Sequence, residues 1–182
     1  MLYEVQRGDR FDLYVSDIES GRLENITSSA ANEIDPDWSP DGRRIVFGSD
    51  RDGNQEIYVM SFDPLTFKAD LASATRLTRN PGFDGEPVWS PDGTRIAYES
   101  ERAGVFSVYT MLVSGEDQVK LTPDQGPEFD PAWSVDGRQV AYTAVRDSNA
   151  EVFVIEVGGF NPRNLTRHGA NDFKPSWSRE TR

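Results

Sequence analysis

Apolar and polar positions alternate along the chain in runs of four to eight residues, separated by clusters of Gly, Pro, Asp and Asn. The stretch 86–122 is the clearest. Residues 86–90 predict a first strand and Arg95-Ile96-Ala97-Tyr98-Glu99-Ser100 a second. Residues 105–112 predict a third, with Phe106, Val108 and Thr110 facing one way and Ser107, Tyr109 and Met111 the other. Val119-Lys120-Leu121-Thr122 predicts a fourth. The enrichment in β-branched and aromatic residues, the run lengths and the turn punctuation specify strands, and no segment sustains a helical period. The fold class is all-β.

The four-strand pattern repeats. Asp35-Pro36-Asp37-Trp38-Ser39-Pro40-Asp41-Gly42 returns as Glu86-Pro87-Val88-Trp89-Ser90-Pro91-Asp92-Gly93 and as Asp130-Pro131-Ala132-Trp133-Ser134-Val135-Asp136-Gly137. It returns in decayed form as Lys174-Pro175-Ser176-Trp177-Ser178. The four tryptophans, all that the protein has, stand 51, 44 and 44 residues apart, a period that indicates a propeller or solenoid array. Ser-Pro-Asp-Gly joins first and second strands because proline presets φ, aspartate bonds its own backbone and glycine accepts positive φ. The longer first period comes from an insertion at 63–70, expected as a surface loop between outer strands, where added length costs least.

The expected architecture is a propeller of four-stranded antiparallel blades in one domain, 1–182, with blades at 33–78, 84–122 and 128–166. The first blade combines residues 1–27, which match second, third and fourth strands only, with the tryptophan strand at 173–178. Such a clasp would close a ring of four and hide its sheet edges. In the alternative, two chains joined head to tail make a ring of eight, so that the protein is a monomer or a homodimer.

With these motifs placed, the chain resembles the TolB-type WD-like propeller repeats, found also in the propeller domains of tricorn-like and prolyl-oligopeptidase-like peptidases. The resemblance rests on the acid-Pro-Xaa-Trp-Ser-Pro-Asp-Gly stretch, on strands such as Ile45-Val46-Phe47 and Glu56-Ile57-Tyr58-Val59-Met60, and on the closing Leu77-Thr78, Leu121-Thr122 and Leu165-Thr166. It implies a β-propeller and a non-catalytic scaffold for protein binding, with the propeller portion of a peptidase as the alternative. TolB-type propellers usually have six or more blades; this chain supplies four.

Charge narrows the partners. Nineteen basic residues against thirty-one acidic ones leave a net charge of -12, which repels phosphate backbones and anionic lipid surfaces. Nucleic acid is excluded as a partner, and a protein or basic peptide is expected. No run reaches the length of a membrane span, so no membrane insertion is expected. Residues 1–7 show no basic and then apolar signal pattern. The location is therefore read as periplasmic if a leader was removed and otherwise cytoplasmic. Cysteine is absent, so disulfide and thiolate chemistry are not available.

Candidate functional residues come from positions repeated between copies. Five residues before each tryptophan stands an acid, Glu33, Asp84, Glu128 and Asp172; three before stand Asp35, Glu86, Asp130 and, out of pattern, Lys174. At the mouth of a central channel these would form a carboxylate ring able to take Ca²⁺ or a basic group; otherwise each acid caps its own turn or pairs with a neighbouring blade. Thirteen residues after the tryptophans come Arg51, Arg102 and Arg146, and Arg7 fits the first blade. They are expected either to bridge blades or to form a mixed-charge rim for a partner. The tryptophans are read as core, and Ser39, Ser90, Ser134 and Ser178 as turn or ladder residues. His168 is the only histidine, and no nucleophile elbow or phosphate-binding loop occurs, so no catalytic residue and no cofactor is assigned. Carboxylate pairs for glycoside hydrolysis are left open by the abundance of acids.

Overall fold

The computed structural model describes residues 1–123 and 125–178. Four antiparallel sheets follow one another along the chain, and the described residues contain no helix. The first blade holds β1 (Leu2–Arg7), β2 (Arg10–Ser16) and β3 (Leu23–Asn25). The second holds β4 (Glu33–Trp38), β5 (Arg44–Ser49), β6 (Glu56–Asp63) and β7 (Lys68–Arg76). The third holds β8 (Asp84–Trp89), β9 (Arg95–Arg102), β10 (Val105–Leu112) and β11 (Val119–Lys120). The fourth holds β12 (Glu128–Trp133), β13 (Gln139–Arg146), β14 (Asn149–Glu156) and β15 (Phe160–Asn164).

The first hairpin of each full blade has the chemistry its sequence demands. In the second blade the Gly42 amide donates to the Ser39 carbonyl at 2.8 Å, and Gly42 takes φ 68°. The Ser39 hydroxyl donates to Asp41 Oδ1 at 2.6 Å and accepts from the Arg44 amide at 2.9 Å. Ser90 with Asp92 and Ser134 with Asp136 repeat this at 2.6 Å. The fourth blade does so with Val135 in place of proline, so the serine–aspartate bond and the glycine carry the turn and proline only biases it.

The core lies between blades. Leu13, Val15, Ile45, Phe47 and Met60 join the first blade to the second; Val46, Ile57, Trp89, Ile96 and Tyr98 join second to third; Ala97, Val108, Trp133, Val140 and Tyr142 join third to fourth. Trp89 and Trp133 are buried core residues, and Trp38 packs edge-on against Phe62 at 4.7 Å. Removing such a side chain typically costs about 3–5 kcal/mol.

Two expectations meet a different arrangement. The insertion at 63–70 does not form a free loop: Asp63 pairs with Lys68, so it lengthens the β6–β7 hairpin. Phe67 at its tip packs on Phe62, and Arg22 of the first blade lies 5.0 Å over the Phe67 ring and donates to the Thr66 carbonyl. The first sheet, meanwhile, has three strands, and residues 173–178 form none. They rest on the fourth blade: Trp177 Nε1 donates to the Ala132 carbonyl at 3.0 Å, as Trp133 Nε1 donates to that of Val88 at 3.2 Å. The physical reason is that the tryptophan segment is seated by the blade that precedes it, and this contact forms without pairing to β1.

Candidate partner-binding site

The acids five residues before the tryptophans are closed inside their own blades. Glu33, Asp84 and Glu128 have no exposed surface. Glu33 accepts from Ser29 Oγ at 2.7 Å, Ser49 Oγ at 3.3 Å and Arg51 Nη2 at 3.2 Å. Glu128 accepts from Thr122 Oγ1 at 2.8 Å and Arg146 Nη2 at 2.5 Å. Asp84 accepts from Asn80 Nδ2 at 3.2 Å, and burial pushes its carboxyl up to about 6. Asp172 pairs with His168 Nε2 at 3.1 Å. The carboxylates of this set point into separate blades and form no common ring. Arg51 and Arg146 answer the acid of their own blade, not of a neighbour, and Arg7 pairs with Asp12 across the β1–β2 hairpin at 3.4 Å. Arg102 differs, with Nε on Ser100 Oγ at 3.0 Å and the guanidinium 4.4 Å over the Tyr109 ring.

The acids three residues before the tryptophans behave otherwise. Asp35, Glu86 and Asp130 adopt φ of 51°, 44° and 52°, each where the register of the inner strand slips against the second strand. Such a bulge turns a residue out of the pleat and aims it elsewhere. Lys174 keeps the conformation at φ 53°. The bulge amides reach the preceding blade: that of Asp35 donates to Glu4 Oε1 at 2.6 Å, and that of Asp130 to Glu99 Oε1 at 2.7 Å. The Lys174 amide donates to Thr143 Oγ1 at 3.2 Å and to Asp130 Oδ2 at 3.3 Å. The Glu86 amide donates to the Asp35 carboxylate, because the second-strand position that would answer it is Gly48.

This stitching brings carboxylates together. Glu86, Glu99 and Asp130 each place an oxygen within 4.8 Å of the others, and Lys174 Nζ approaches Glu86 at 4.0 Å. Burial, then the charges of Asp35 and Asp130, push Glu86 up to about 7. Burial, reinforced by Glu86 and Asp130 and opposed by the Asp130 amide, pushes Glu99 up to about 8. Asp35 is raised by burial and by Glu4. These carboxyls favour any cation that lets them ionise.

Glu4 and Glu99 belong to the site although the repeated motif does not contain them. Each follows a tyrosine on the second strand of its blade, Tyr3 and Tyr98, at the position that Gly48 and Thr143 occupy elsewhere. Aligning second strands exposes that position, but its role depends on the next blade. The hydroxyls of Ser39, Ser90 and Ser134 are committed to their turns, and His168 faces Asp172 with no serine beside it among its hydrogen bonds.

Comparison with known proteins agrees with the fold and motifs. The TolB beta propeller domain family matches residues 1–69. An uncharacterized protein of Agrobacterium fabrum is 35% identical over 100 residues, covering 55% of this chain and 32% of the relative. The Tol-Pal system protein TolB of Bordetella pertussis is 27% identical over 153 residues, covering 63% of this chain and 35% of its own. The crystal structure of TolB from Acinetobacter baumannii superposes with a TM-score of 0.77 at 27% identity, over 94% of this chain and 42% of that one. A puromycin hydrolase shares the fold alone, with a TM-score of 0.73 at 13% identity, over 94% of this chain and 28% of that one. The chain thus spans 32–42% of the length of the Agrobacterium, Bordetella and Acinetobacter relatives it matches.

Proposed function

We propose that this chain, built of TolB-type β-propeller repeats, is a non-catalytic binding module that receives a basic group of a protein or peptide on the carboxylates of its inner bulges. The observation that carries the reading is the convergence of Glu86, Glu99 and Asp130, with Asp35 behind them, on a space that already admits a lysine: Lys174 lies 4.0 Å from Glu86 with 77% of its side chain exposed. A second ammonium or guanidinium arriving from a partner would relieve the same like-charge repulsion. The net charge of -12 would steer such a partner in. The commitment of the repeated serines to turns supports a role without catalysis. The Bordetella relative is named for a Tol-Pal system, which is consistent with work in a multi-protein assembly.

A second reading, Ca²⁺ in the same place, is favoured by the three oxygens within 4.8 Å of one another, although calcium requires about six to eight oxygen ligands. Calorimetric titration of a glycine peptide carrying one lysine separates the readings. The expected result is saturable binding that strengthens from pH 6 to pH 8.5, as Glu86 and Glu99 give up their protons, and that weakens at least about tenfold in Glu86→Gln/Asp130→Asn. Binding of Ca²⁺ with none of the peptide selects the second reading. Binding of neither overturns both.

A further inference from the structure

The four rim arginines are equivalent in sequence but not in what they hold. Arg51 meets Glu33 at 3.2 Å, Arg146 meets Glu128 at 2.5 Å, and Arg7 meets Asp12 at 3.4 Å. Arg102 has no carboxylate among the described residues. In the third blade the equivalent acid is Asp84, one methylene shorter than Glu33 and Glu128. That carboxyl is turned to Asn80, and its Oδ2 is buried without a hydrogen-bond partner. The guanidinium is nonetheless held as that of Arg51 is, by Ser100 Oγ on Nε and by the ring of Tyr109, where Arg51 has Ser49 Oγ at 3.1 Å and Tyr58 at 4.7 Å. Its Nη2 makes only a long bond, 3.4 Å, to Gln118 Oε1. Two surface hollows of 350 and 330 Å³ meet at Arg102, one continuing past Ser107 and Tyr109, the other past Arg79 and Asn80.

We infer that Arg102 is a carboxylate-binding site, filled from outside by an acidic group of the partner polypeptide where sister blades fill it with their own glutamate. The choice of carboxylate over other anions comes from the fold itself, since the other three of these guanidiniums each hold one. A planar, preorganised fork whose donors are not satisfied gains a charge-assisted pair when a carboxylate arrives. The inference deepens the proposed function and rests on it for the identity of the partner. Arg102 lies three residues along β9 from Glu99, so the two side chains leave opposite faces of the strand, Glu99 toward Asp130 of the fourth blade and Arg102 over Tyr109.

The test uses the full chain and NMR of the arginine side-chain Nε–H groups. The probes are acetyl-Gly-Gly-Asp-Gly-amide, its Asn counterpart, and tetraglycine with a free or an amidated C-terminus. The Arg102 resonance should shift saturably with the Asp peptide and not with the Asn peptide. If free tetraglycine also acts and its amide does not, the site accepts a chain terminus as well as a side chain. Arg102→Gln should abolish binding, and Asp84→Glu, which restores the intrachain partner, should weaken it at least about tenfold. Arg51→Gln and Glu86→Gln/Asp130→Asn should leave it unchanged, so that failure here and failure of the lysine-peptide titration are read separately. Equal binding of Asp and Asn peptides, unchanged binding by Arg102→Gln, or displacement by inorganic phosphate at lower concentration than the peptide would overturn the inference.

Discussion

Two sets of repeated acids stand two residues apart on the same inner strands and have opposite lives. Glu33, Asp84 and Glu128 sit in regular pleat, face into their own blade and are consumed there by hydroxyls, amides and arginines. Asp35, Glu86 and Asp130 sit on the left-handed turn of a bulge and face the space between blades. Sequence period alone gives both sets equal standing. The distinction comes from a local backbone change: a pleated strand alternates faces, and a bulge breaks that alternation by one residue. One set therefore holds the blade together, and the other is presented across it.

The comparison can be broken by substitution. The largest effect is expected for Glu128→Ala, which strands Arg146 against Phe153 and leaves Thr122 unsatisfied; unfolding in urea should show a loss of about 3 kcal/mol, the low end for a buried pair because the Arg146 side chain is 19% exposed. Next comes pH. Glu99, pushed up to about 8, keeps its proton in the folded protein while the unfolded chain loses it near 4.5. Stability tied to this group is therefore present below about pH 4.5 and declines as pH rises to about 8. Glu99→Gln retains an acceptor for the Asp130 amide and should flatten this decline; equal urea midpoints for both proteins at every pH from 5 to 8.5 would remove the coupling. The smallest effect is expected for Glu86→Gln/Asp130→Asn, whose stability at pH 7 should lie within about 0.5 kcal/mol of the parent although its lysine-peptide binding weakens at least about tenfold. A large loss of stability there would place the bulge acids with the structural set.

Much of the fold was legible because repetition multiplies weak signals. One Trp-Ser-Pro-Asp-Gly is a turn; two in register with a Trp-Ser-Val-Asp-Gly, and a fourth tryptophan at the same spacing, define blades. The serine–aspartate turns and the packing of Trp89 and Trp133 follow from residue chemistry that acts locally. Relations between blades were less legible. Glu4 and Glu99 enter the site through amides belonging to the next repeat, about thirty residues on, and no pattern inside one repeat announces that. The same reason separates the expected clasp from the observed one. Residues 173–178 carry the signature of an inner strand, but the bonds that seat them go to Ala132 and Thr143 of the fourth blade, and the pairing expected with β1 is not formed. The insertion at 63–70 was legible as added length but not as a hairpin, since the anchor for Phe67 is Arg22 in another blade.

The left-handed backbone at Asp35, Glu86 and Asp130 sets two demands against each other at one codon. Glycine takes such a φ without strain, whereas glutamate in particular does so at a cost of about 1–3 kcal/mol. Laboratory evolution that rewards heat resistance alone would therefore drift toward glycine at 86, where no backbone amide is lost, and less so at 35 and 130, whose carboxylates accept the amides of Glu86 and Lys174. Keeping the acid at 86 requires a selection that reads binding.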